Sequence, residues 1–424
     1  MACLLFPLNL QAAEKSLLTP TPQAEAATQA HPTPSTKPSI PTPLAKPTTP
    51  TPPATPIAQA SSTHTNPAYL LPSAPNLSAT SYILMDANSG KIIAQKNADV
   101  RHPPASLTKL MTLYLTFKGL ATGQLHLTDK VTISKKAWKI GGSRMFLRVG
   151  TKVSVENLIQ GVIVDSGNDA TTALAEYVGG TESAFVQLMD QQAQILGMKN
   201  THYTDPTGLP HPNHYSTAND LAVLTQAIIQ RFPSYYHFFS EKWFSWNGIR
   251  QPNRNRLLWR NQGVDGLKTG HTEAAGYCLI TSAKQNSMRL ISIIMGAPTD
   301  MARAEESQAL LSYGFRFFQT KQLYKANQVI TITRIYSGKQ KQITLGLNKD
   351  FDLTLPKMAF NHIKISIDVD KTIKAPIKKG QQLGTIIIQT DHNILIKQPL
   401  VALQEVPKGS WWRRFIDWCI LLFH

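Results

Sequence analysis

The sequence has few cysteines, no long apolar run and no dense cluster of basic residues. Its three cysteines, Cys3, Cys278 and Cys419, lie far apart and show no C-x-x-C spacing, which excludes a disulfide framework and a zinc ribbon. The apolar stretches at the two ends are shorter than the roughly 20 residues that a membrane-spanning helix needs, which excludes a polytopic membrane protein. The 424 residues therefore predict two or three domains, each held together by its own hydrophobic core.

Positive charge is in excess over most of the chain. The sequence contains 43 Lys and Arg against 26 Asp and Glu, a net charge of +17, and nearly all of this excess lies after residue 72. Such a surface favours polyanions, anionic lipids or negatively charged wall polymers. The basic residues are scattered and no nucleic-acid-binding motif is present, so nucleic acid is not expected as a partner.

The first 72 residues contain two segments of unusual composition. Residues 1–13 are nearly all apolar or small and end in Leu-Gln-Ala-Ala, like the end of a signal peptide, although no basic residue precedes Lys15. Residues 14–72 are rich in Pro, Thr and Ala, and they hold fourteen of the 28 prolines. They have too few large apolar side chains to offset the entropy lost on ordering. We predict an export signal followed by a disordered linker.

Residues 73–318 mix strand-like and helix-like patterns. Two β-prone runs flank an Asn-Ser-Gly turn and predict a hairpin, and apolar residues at three- and four-residue spacing predict helices. The predicted strands cover residues 81–86, 91–94, 277–283 and 288–295, and the predicted helices cover 105–119, 155–164, 170–178, 182–196, 217–229 and 302–318. This order predicts an α+β domain in which helices pack on an antiparallel sheet.

The pattern changes near residue 319. Short β-rich runs recur at regular spacing up to residue 406, which predicts a small β-sandwich or barrel; they cover residues 328–335, 342–345, 351–355, 363–369, 385–390 and 394–397. In the tail, 407–424, the last fifteen residues contain three Trp, two Phe and a pair of Arg. This composition predicts an amphipathic helix that lies in a membrane interface. A helix packed on the protein is the alternative.

A Ser-x-x-Lys motif follows two prolines. Pro103 and Pro104 end an extended segment, so we expect a helix to begin near Ser106. Ser106 and Lys109 then lie on one helical face, close enough for the amine to take the hydroxyl proton. The helix dipole would favour the alkoxide, and burial would keep the lysine neutral. The motif occurs once in the chain.

Two further short motifs follow in order. Ser166-Gly167-Asn168 is predicted in a turn between two helices and offers a hydroxyl and an amide to a cleft. Lys268-Thr269-Gly270 is predicted to lead into the strand at residue 277. It offers a cation and a hydroxyl for a substrate carboxylate, and a glycine that lets an extended substrate approach a strand edge.

With these three motifs, residues 79–424 resemble the low-molecular-mass penicillin-binding proteins of the serine-type D-alanyl-D-alanine carboxypeptidase family. The resemblance includes Lys-Thr-Gly-His271-Thr, the β-rich C-terminal domain and the amphipathic tail. It implies a penicillin-binding/β-lactamase-like transpeptidase fold, removal of the terminal D-alanine from peptidoglycan pentapeptides, and acylation by β-lactams. It also implies export to the periplasmic face of the bacterial inner membrane, cell-wall remodelling, and no metal or other cofactor.

The resemblance assigns roles to individual residues. Ser106 is the acylated nucleophile and Lys109 its base. Ser166 relays a proton to the leaving amine, and Asn168 orients the substrate amide. Lys268, Thr269 and Arg303 hold the terminal carboxylate beside Gly270. The backbone N–H groups of Ser106 and His271 form the oxyanion hole.

Several alternatives remain at this point. A β-lactamase needs a glutamate-activated water, and none of Glu176, Glu182 and Glu241 lies in a suitable motif. A D,D-endopeptidase and a non-catalytic wall-binding protein are the other candidates. The loop histidines His202, His211 and His214 suggest zinc but have no third ligand at a fixed spacing, so we interpret them as ordinary loop residues. Cys278 is interpreted as a core residue.

Overall fold

The computed structural model describes residues 71–390 and 394–422. The predicted signal-like segment 1–13 and residues 14–70 of the predicted linker lie outside the described residues. The first domain contains β1 (Ser81–Asp86), β2 (Ile92–Lys96), α1 (Lys109–Ala121), β3 (Lys130–Thr132), α2 (Lys135–Lys139), β4 (Lys152–Ser154), α3 (Val155–Ile163), α4 (Asn168–Gly179), α5 (Glu182–Leu196), α6 (Ala218–Arg231), β5 (Trp243–Trp246), β6 (Ile249–Pro252), α7 (Leu257–Arg260), β7 (Val264–Thr272), β8 (Gly276–Gln285), β9 (Met288–Ala297) and α8 (Asp300–Phe317). The predicted hairpin, helices and strands are confirmed to within a few residues.

A five-stranded antiparallel sheet with the order β2-β1-β9-β8-β7 forms the centre of this domain. Its two faces are both covered. On β9, Ile291 and Ile293 belong to the core shared with α1, α3, α4, α5 and α6, whereas Leu290 and Ile294 belong to the core shared with α8. A strand that is buried on both faces is apolar at successive positions, which explains why β9 appears in the sequence as a continuous apolar run.

Polar side chains fix the ends of several helices. Thr217 accepts a hydrogen bond from the backbone N–H of Asp220 at the start of α6, and Thr299 does the same for Ala302 at the start of α8. Such caps satisfy backbone donors that have no partner inside the helix. They set where each helix begins, and thereby where the loop before each helix ends.

The second domain is built from β-strands. It contains β10 (Phe318–Tyr324), β11 (Val329–Arg334), β12 (Gln342–Gly346), β13 (Phe351–Pro356), β14 (Lys364–Val369), β15 (Gln382–Gln389), β16 (Ile394–Ala402) and the terminal helix α9 (Trp411–Leu422). The strands form a two-stranded sheet, β10-β13, and a five-stranded sheet, β11-β12-β16-β15-β14, around a core of their own. The predicted β-rich domain and terminal helix are confirmed.

A ring of hydrogen bonds joins the two domains. The carboxylate of Asp86 on β1 accepts hydrogen bonds from Ser89 Oγ and from Thr320 Oγ1, each at 2.8 Å. Thr354 Oγ1 lies 2.7 Å from Ser89 Oγ and 2.8 Å from Thr320 Oγ1, which closes the ring. Asp86 is fully buried, so these hydroxyl groups provide the partners that a buried carboxylate requires.

Two details of the motif regions differ from the expectation. The chain at Ser106 forms a 3₁₀ turn, Ala105–Thr108, and the α-helix begins only at Lys109. The Lys-Thr-Gly motif lies within β7 rather than before a strand. Both errors arise where glycine, proline or polar residues that line the cleft interrupt the apolar pattern from which elements are predicted.

Candidate active site

The Ser-x-x-Lys motif brings an amine to a hydroxyl. Lys109 Nζ lies 2.8 Å from Ser106 Oγ and donates a second hydrogen bond, of 2.9 Å, to the carbonyl oxygen of Thr207. The 3₁₀ turn accounts for this geometry because three residues per turn place side chains i and i+3 directly above each other. Ala105, next to the serine, has a φ of 48°, a strained value for a residue other than glycine.

Burial sets the protonation of the lysine. The Lys109 side chain is fully buried, and this desolvation lowers its pKa to about 7, against the opposing attraction of Asp205 and Asp169. A large fraction of the enzyme then carries a neutral amine near pH 7, which can accept a proton from Ser106.

A second serine and lysine pair joins the loop between α3 and α4 to β7. Ser166, in the loop between α3 and α4, has a φ of 57° and is buried. Lys268 on β7 donates a hydrogen bond of 2.9 Å to Ser166 Oγ and one of 3.2 Å to the carbonyl oxygen of Thr269. Burial, followed by the positive charges of Lys109, Arg254 and Arg303, holds the pKa of Lys268 well below its usual value. An incoming carboxylate would relieve this excess of positive charge.

The first turn of α4 anchors the loop between α2 and β4. Asn168 Nδ2 donates a hydrogen bond of 2.7 Å to the carbonyl oxygen of Gly141. The neighbouring Asp169 accepts hydrogen bonds of 3.0 Å from the backbone N–H groups of Met145 and Leu147. These contacts fix the amide group of Asn168 in one orientation.

Gly270 lies where β7 packs against the turn that carries Ser106. A Cβ at Gly270 would lie 3.1 Å from the carbonyl oxygen of Pro104 and 3.3 Å from Leu107 Cγ. The absence of a side chain therefore lets β7 approach the turn that carries Ser106. Thr269 is buried and His271 is exposed beside Tyr277, with 4.1 Å between their ring centroids.

Arg303 on α8 is hydrogen-bonded to both β7 and β8. Its Nη1 donates hydrogen bonds of 2.9 Å to the carbonyl oxygen of Gly270 and of 3.2 Å to that of Cys278, and its Nη2 pairs with Asp300. Burial lowers the pKa of Arg303. Cys278 is fully buried in β8, which confirms its interpretation as a core residue.

Four residues close to these two pairs either were not singled out from the sequence or were given no catalytic role. Thr207 contributes a backbone carbonyl, which no side-chain motif can reveal. Asp205 and His214 lie in the same loop, and His214 is only 3% exposed. Asp165 is buried, and desolvation raises its pKa to about 7. Of the other two loop histidines, His202 pairs with Asp190 at 3.0 Å, and His211 has an exposed side chain.

The relatives of this chain are consistent with the geometry. The family model for D-alanyl-D-alanine carboxypeptidase (peptidase S11) matches residues 69–299, and that for the C-terminal domain of penicillin-binding protein 5 matches residues 318–408. The chain is 43% identical over 376 residues to D-alanyl-D-alanine carboxypeptidase DacA of Escherichia coli K12, which covers 87% of this chain and 93% of that one.

Solved structures give the same result. Penicillin-binding protein 5 from Haemophilus influenzae superimposes with a TM-score of 0.76 and 43% identity, over 80% of this chain and 100% of the other. Penicillin-binding protein D2 from Listeria monocytogenes, in its ampicillin-bound form, superimposes with a TM-score of 0.53 and 30% identity, over 57% of this chain and 100% of the other. The paired serines and lysines, the two-domain fold and these matches agree: the chain belongs to the peptidase S11 family of D-alanyl-D-alanine carboxypeptidases.

Proposed function

We propose that this carboxypeptidase removes the terminal D-alanine from peptidoglycan stem pentapeptides through an acyl-enzyme on Ser106. The observation that carries the proposal is the 2.8 Å contact between Lys109 Nζ and Ser106 Oγ, with the lysine fully buried. A hydroxyl group becomes a nucleophile when a positioned base removes its proton. A buried amine whose pKa is near 7 is suited to that role at neutral pH.

In the first step, Lys109 takes the proton of Ser106, and Oγ forms a bond to the carbonyl carbon of the penultimate D-alanine. The carbonyl π electrons move to its oxygen, which the backbone N–H groups of Ser106 and His271 stabilise. Loss of one such donor typically costs about 3 kcal/mol. β7 is the end strand of the sheet order, which leaves its outer edge facing the substrate rather than another strand of that sheet.

In the second step, the C–N bond breaks and the leaving D-alanine nitrogen takes a proton. Lys109 holds that proton and Ser166 relays it, with Lys268 fixing the Ser166 hydroxyl at 2.9 Å. Water then adds to the acyl carbon with Lys109 as base, and Oγ recovers its proton as the ester breaks. Acylation followed by hydrolysis consumes one water for each D-alanine released.

The positive charge around β7 selects a substrate with a free carboxylate. Lys268, Thr269 and Arg303 bind the carboxylate of the terminal D-alanine, and Asn168 holds the peptide amide. The same serine opens the lactam ring of a penicillin, because the lactam carbonyl and its neighbouring carboxylate imitate the two D-alanine groups.

Two of the three glutamates between Asn168 and Lys268 have partners that do not favour a β-lactamase. Glu182 pairs with Lys136 at 3.0 Å, and Glu241 accepts hydrogen bonds of 3.1 and 3.2 Å from Gln160. Each has a partner outside the Ser106 and Lys109 pair. The proposal therefore assigns slow hydrolysis to a β-lactam acyl-enzyme.

Attachment to the membrane through α9 is part of the proposal. Asp417 is buried and accepts a hydrogen bond of 2.6 Å from the backbone N–H of Ser337, which fixes the helix on the second domain. The opposite side of α9 is apolar and exposed; it carries Trp411, Trp412, Phe415, Ile416, Trp418 and Leu422. Exposed tryptophans on a short helix favour the headgroup region of a bilayer. In the described ranges, 71–390 and 394–422, no helix has the length and hydropathy of a membrane span.

The proposal also includes the organisation of the chain and its location in the cell. The proposal assigns residues 1–13 to an export signal and residues 14–72 to a linker. Residues 73–318 form the catalytic domain, 319–406 the β-rich domain and 407–424 the anchor. The enzyme then works at the periplasmic face of the inner membrane.

The test is the release of D-alanine from a muramyl pentapeptide by the purified protein. Ser106→Ala should release none, whereas Ser234→Ala, at an exposed serine, should match the wild type. Equal release by Ser106→Ala would contradict the proposal. Rapid turnover of a cephalosporin would favour a β-lactamase, and release of monomers only from cross-linked dimers would favour an endopeptidase.

A further inference from the structure

His214 is a buried histidine that the mechanism described so far does not use. Its Nε2 lies 2.9 Å from Thr108 Oγ1, on the turn that also carries Ser106. Its Nδ1 lies 3.2 Å from a carboxylate oxygen of Asp205. Thr108 is fully buried. The imidazole therefore joins the catalytic turn to the loop that faces it.

Asp205 shapes that loop. One of its oxygens accepts hydrogen bonds from the backbone N–H of Thr207 at 2.7 Å, the hydroxyl of Thr207 at 2.6 Å and the backbone N–H of Gly208 at 2.8 Å. These bonds hold the Thr207 peptide in one orientation, in which its carbonyl oxygen accepts the 2.9 Å hydrogen bond from Lys109 Nζ. Hydrogen bonding also holds the pKa of Asp205 below its usual value, with His214 and Thr207 as the main donors against the opposing effect of burial.

These contacts form a closed ring of residues around the reacting atoms. Thr108 contacts His214, His214 contacts Asp205, and Asp205 is hydrogen-bonded to Thr207. The Thr207 carbonyl is hydrogen-bonded to Lys109, which contacts Ser106 on the same turn as Thr108. We propose that His214 and Asp205 are positioning residues for the reaction: they hold the Thr207 carbonyl so that it aims Lys109 Nζ at Ser106. This inference rests on the proposed function of Ser106 and Lys109.

A neutral amine acts as a base only when its lone pair is correctly oriented. A neutral lysine has two N–H bonds and one lone pair, and only the lone pair can take the serine proton. Committing one N–H to the Thr207 carbonyl restricts rotation of the amine and makes the lone pair available to Ser106 Oγ. A misplacement of about 1 Å in such a group can cost about 100-fold in rate.

Each ring nitrogen of His214 has a partner. Nδ1 lies 3.2 Å from an oxygen of Asp205 and 3.3 Å from the backbone nitrogen of Thr204, and Nε2 lies 2.9 Å from Thr108 Oγ1. Besides Asp205, the groups that face the imidazole are Tyr203, edge to face with 5.7 Å between centroids, and Thr204, whose Oγ1 is 3.1 Å from Nδ1. The charge of Asp205 also raises the pKa of Lys109 against the larger effect of burial.

The test compares the rate of acylation by a fluorescent penicillin in His214→Gln, Asp205→Asn and the wild type. We expect both variants to acylate at least about tenfold more slowly, with kcat for peptide hydrolysis reduced more than KM is raised. Asp205→Asn should also shift the acid limb of the pH profile to lower pH, because it removes a negative charge that stabilises protonated Lys109.

The matched control is His202→Gln. His202 also pairs with an aspartate, Asp190 at 3.0 Å, but it does not contact the catalytic turn, so the variant should acylate like the wild type. Thr108→Val and Thr108→Ser provide a second pair that does not alter the loop. The valine variant should reproduce the defect of His214→Gln, and the serine variant, which keeps the hydroxyl, should recover most of the rate.

Three results would overturn the inference. The first is acylation by folded His214→Gln and Asp205→Asn proteins within twofold of the wild type. The second is a loss of rate only in proportion to the fall in melting temperature, with the wild-type pH profile. Thr108→Val acylating as fast as Thr108→Ser would have the same meaning. A wild-type protein that penicillin does not acylate would contradict the proposed function itself.

Discussion

Lys109 Nζ and Ser106 Oγ lie 2.8 Å apart, and the same nitrogen is held from the other side by the Thr207 carbonyl at 2.9 Å. The amine is thus fixed between a nucleophile and a backbone acceptor, inside a site that excludes water from it. Burial lowers the pKa of the amine and so favours its neutral form, and the two contacts direct the amine to the serine. Both effects are needed for a lysine to act as a base near pH 7.

The first prediction concerns pH. Because neutral Lys109 is the base and its pKa is lowered to about 7, the second-order rate constant of acylation should rise as pH increases through about 7. The measurement is acylation by a neutral chromogenic ester or a penicillin between pH 5 and 9. A rate that falls through this range would show that the protonated lysine is the active form.

The second prediction concerns stability. Burial lowers the Lys109 pKa from 10.5 to about 7, so the unfolded chain binds more protons between these values. The cost to stability is complete below about pH 7 and disappears as pH rises towards 10.5. Lys109→Met should therefore abolish acylation and raise the melting temperature at pH 6–7, by an amount that shrinks at high pH.

Calorimetry of the two proteins at a series of pH values makes this comparison. The lost hydrogen bonds to Ser106 and Thr207 oppose the gain, so the pH dependence of the difference is more informative than its size. A difference that stays constant or grows between pH 7 and 10 would contradict the assignment of a lowered pKa to Lys109.

The third prediction concerns Gly208. Its φ is +85°, and a Cβ there would lie 1.8 Å from the carbonyl oxygen of Ala105, the residue before the nucleophile. Gly208→Ala should displace the loop from the catalytic turn and strongly reduce acylation. Gly150→Ala is the control, because Gly150 has a similar φ of +77° but open space around it.

The two glycine variants separate strain from collision. The backbone strain of a left-handed alanine costs about 1–2 kcal/mol at either site, so both variants should melt at a lower temperature. Only Gly208→Ala should also lose acylation. If both retain it equally, close packing of the loop on the turn is not required.

The fourth prediction concerns α9. Replacing Trp411 and Trp412 by Ser should weaken sedimentation with phospholipid vesicles, because two exposed rings, 63% and 61% accessible, are lost from the face proposed to meet the bilayer. Trp138→Ser, at a 41% exposed tryptophan of the first domain, is the matched control. Unchanged sedimentation of the double variant would contradict membrane attachment through this helix.

The three motifs could be found in the sequence because their order along the chain is distinctive. The spacing of Ser106 and Lys109 is local and is sufficient to place them together. Apolar periodicity located the main helices, since each of them buries one face in a core. The strand β7 was missed because glycines at 266 and 270 and the polar residues that face the cleft interrupt its apolar pattern.

The surroundings of the lysine could not be predicted in the same way. Thr207 contributes its backbone carbonyl. The position of this carbonyl depends on how closely its own loop packs, at Gly208, against Ala105 in a distant part of the chain. His214 was interpreted as an ordinary loop histidine because its burial is produced by tertiary packing on Thr108. Contacts between segments about a hundred residues apart leave no periodic signal.

The most direct test of the account is to find where penicillin binds covalently. The wild-type protein is incubated with benzylpenicillin, digested with protease and examined by peptide mass spectrometry. The account predicts one penicilloyl adduct, on the peptide that contains Ser106, and no adduct in Ser106→Ala. An adduct on another residue, or full labelling of Ser106→Ala, would contradict the assignment of Ser106 as the nucleophile.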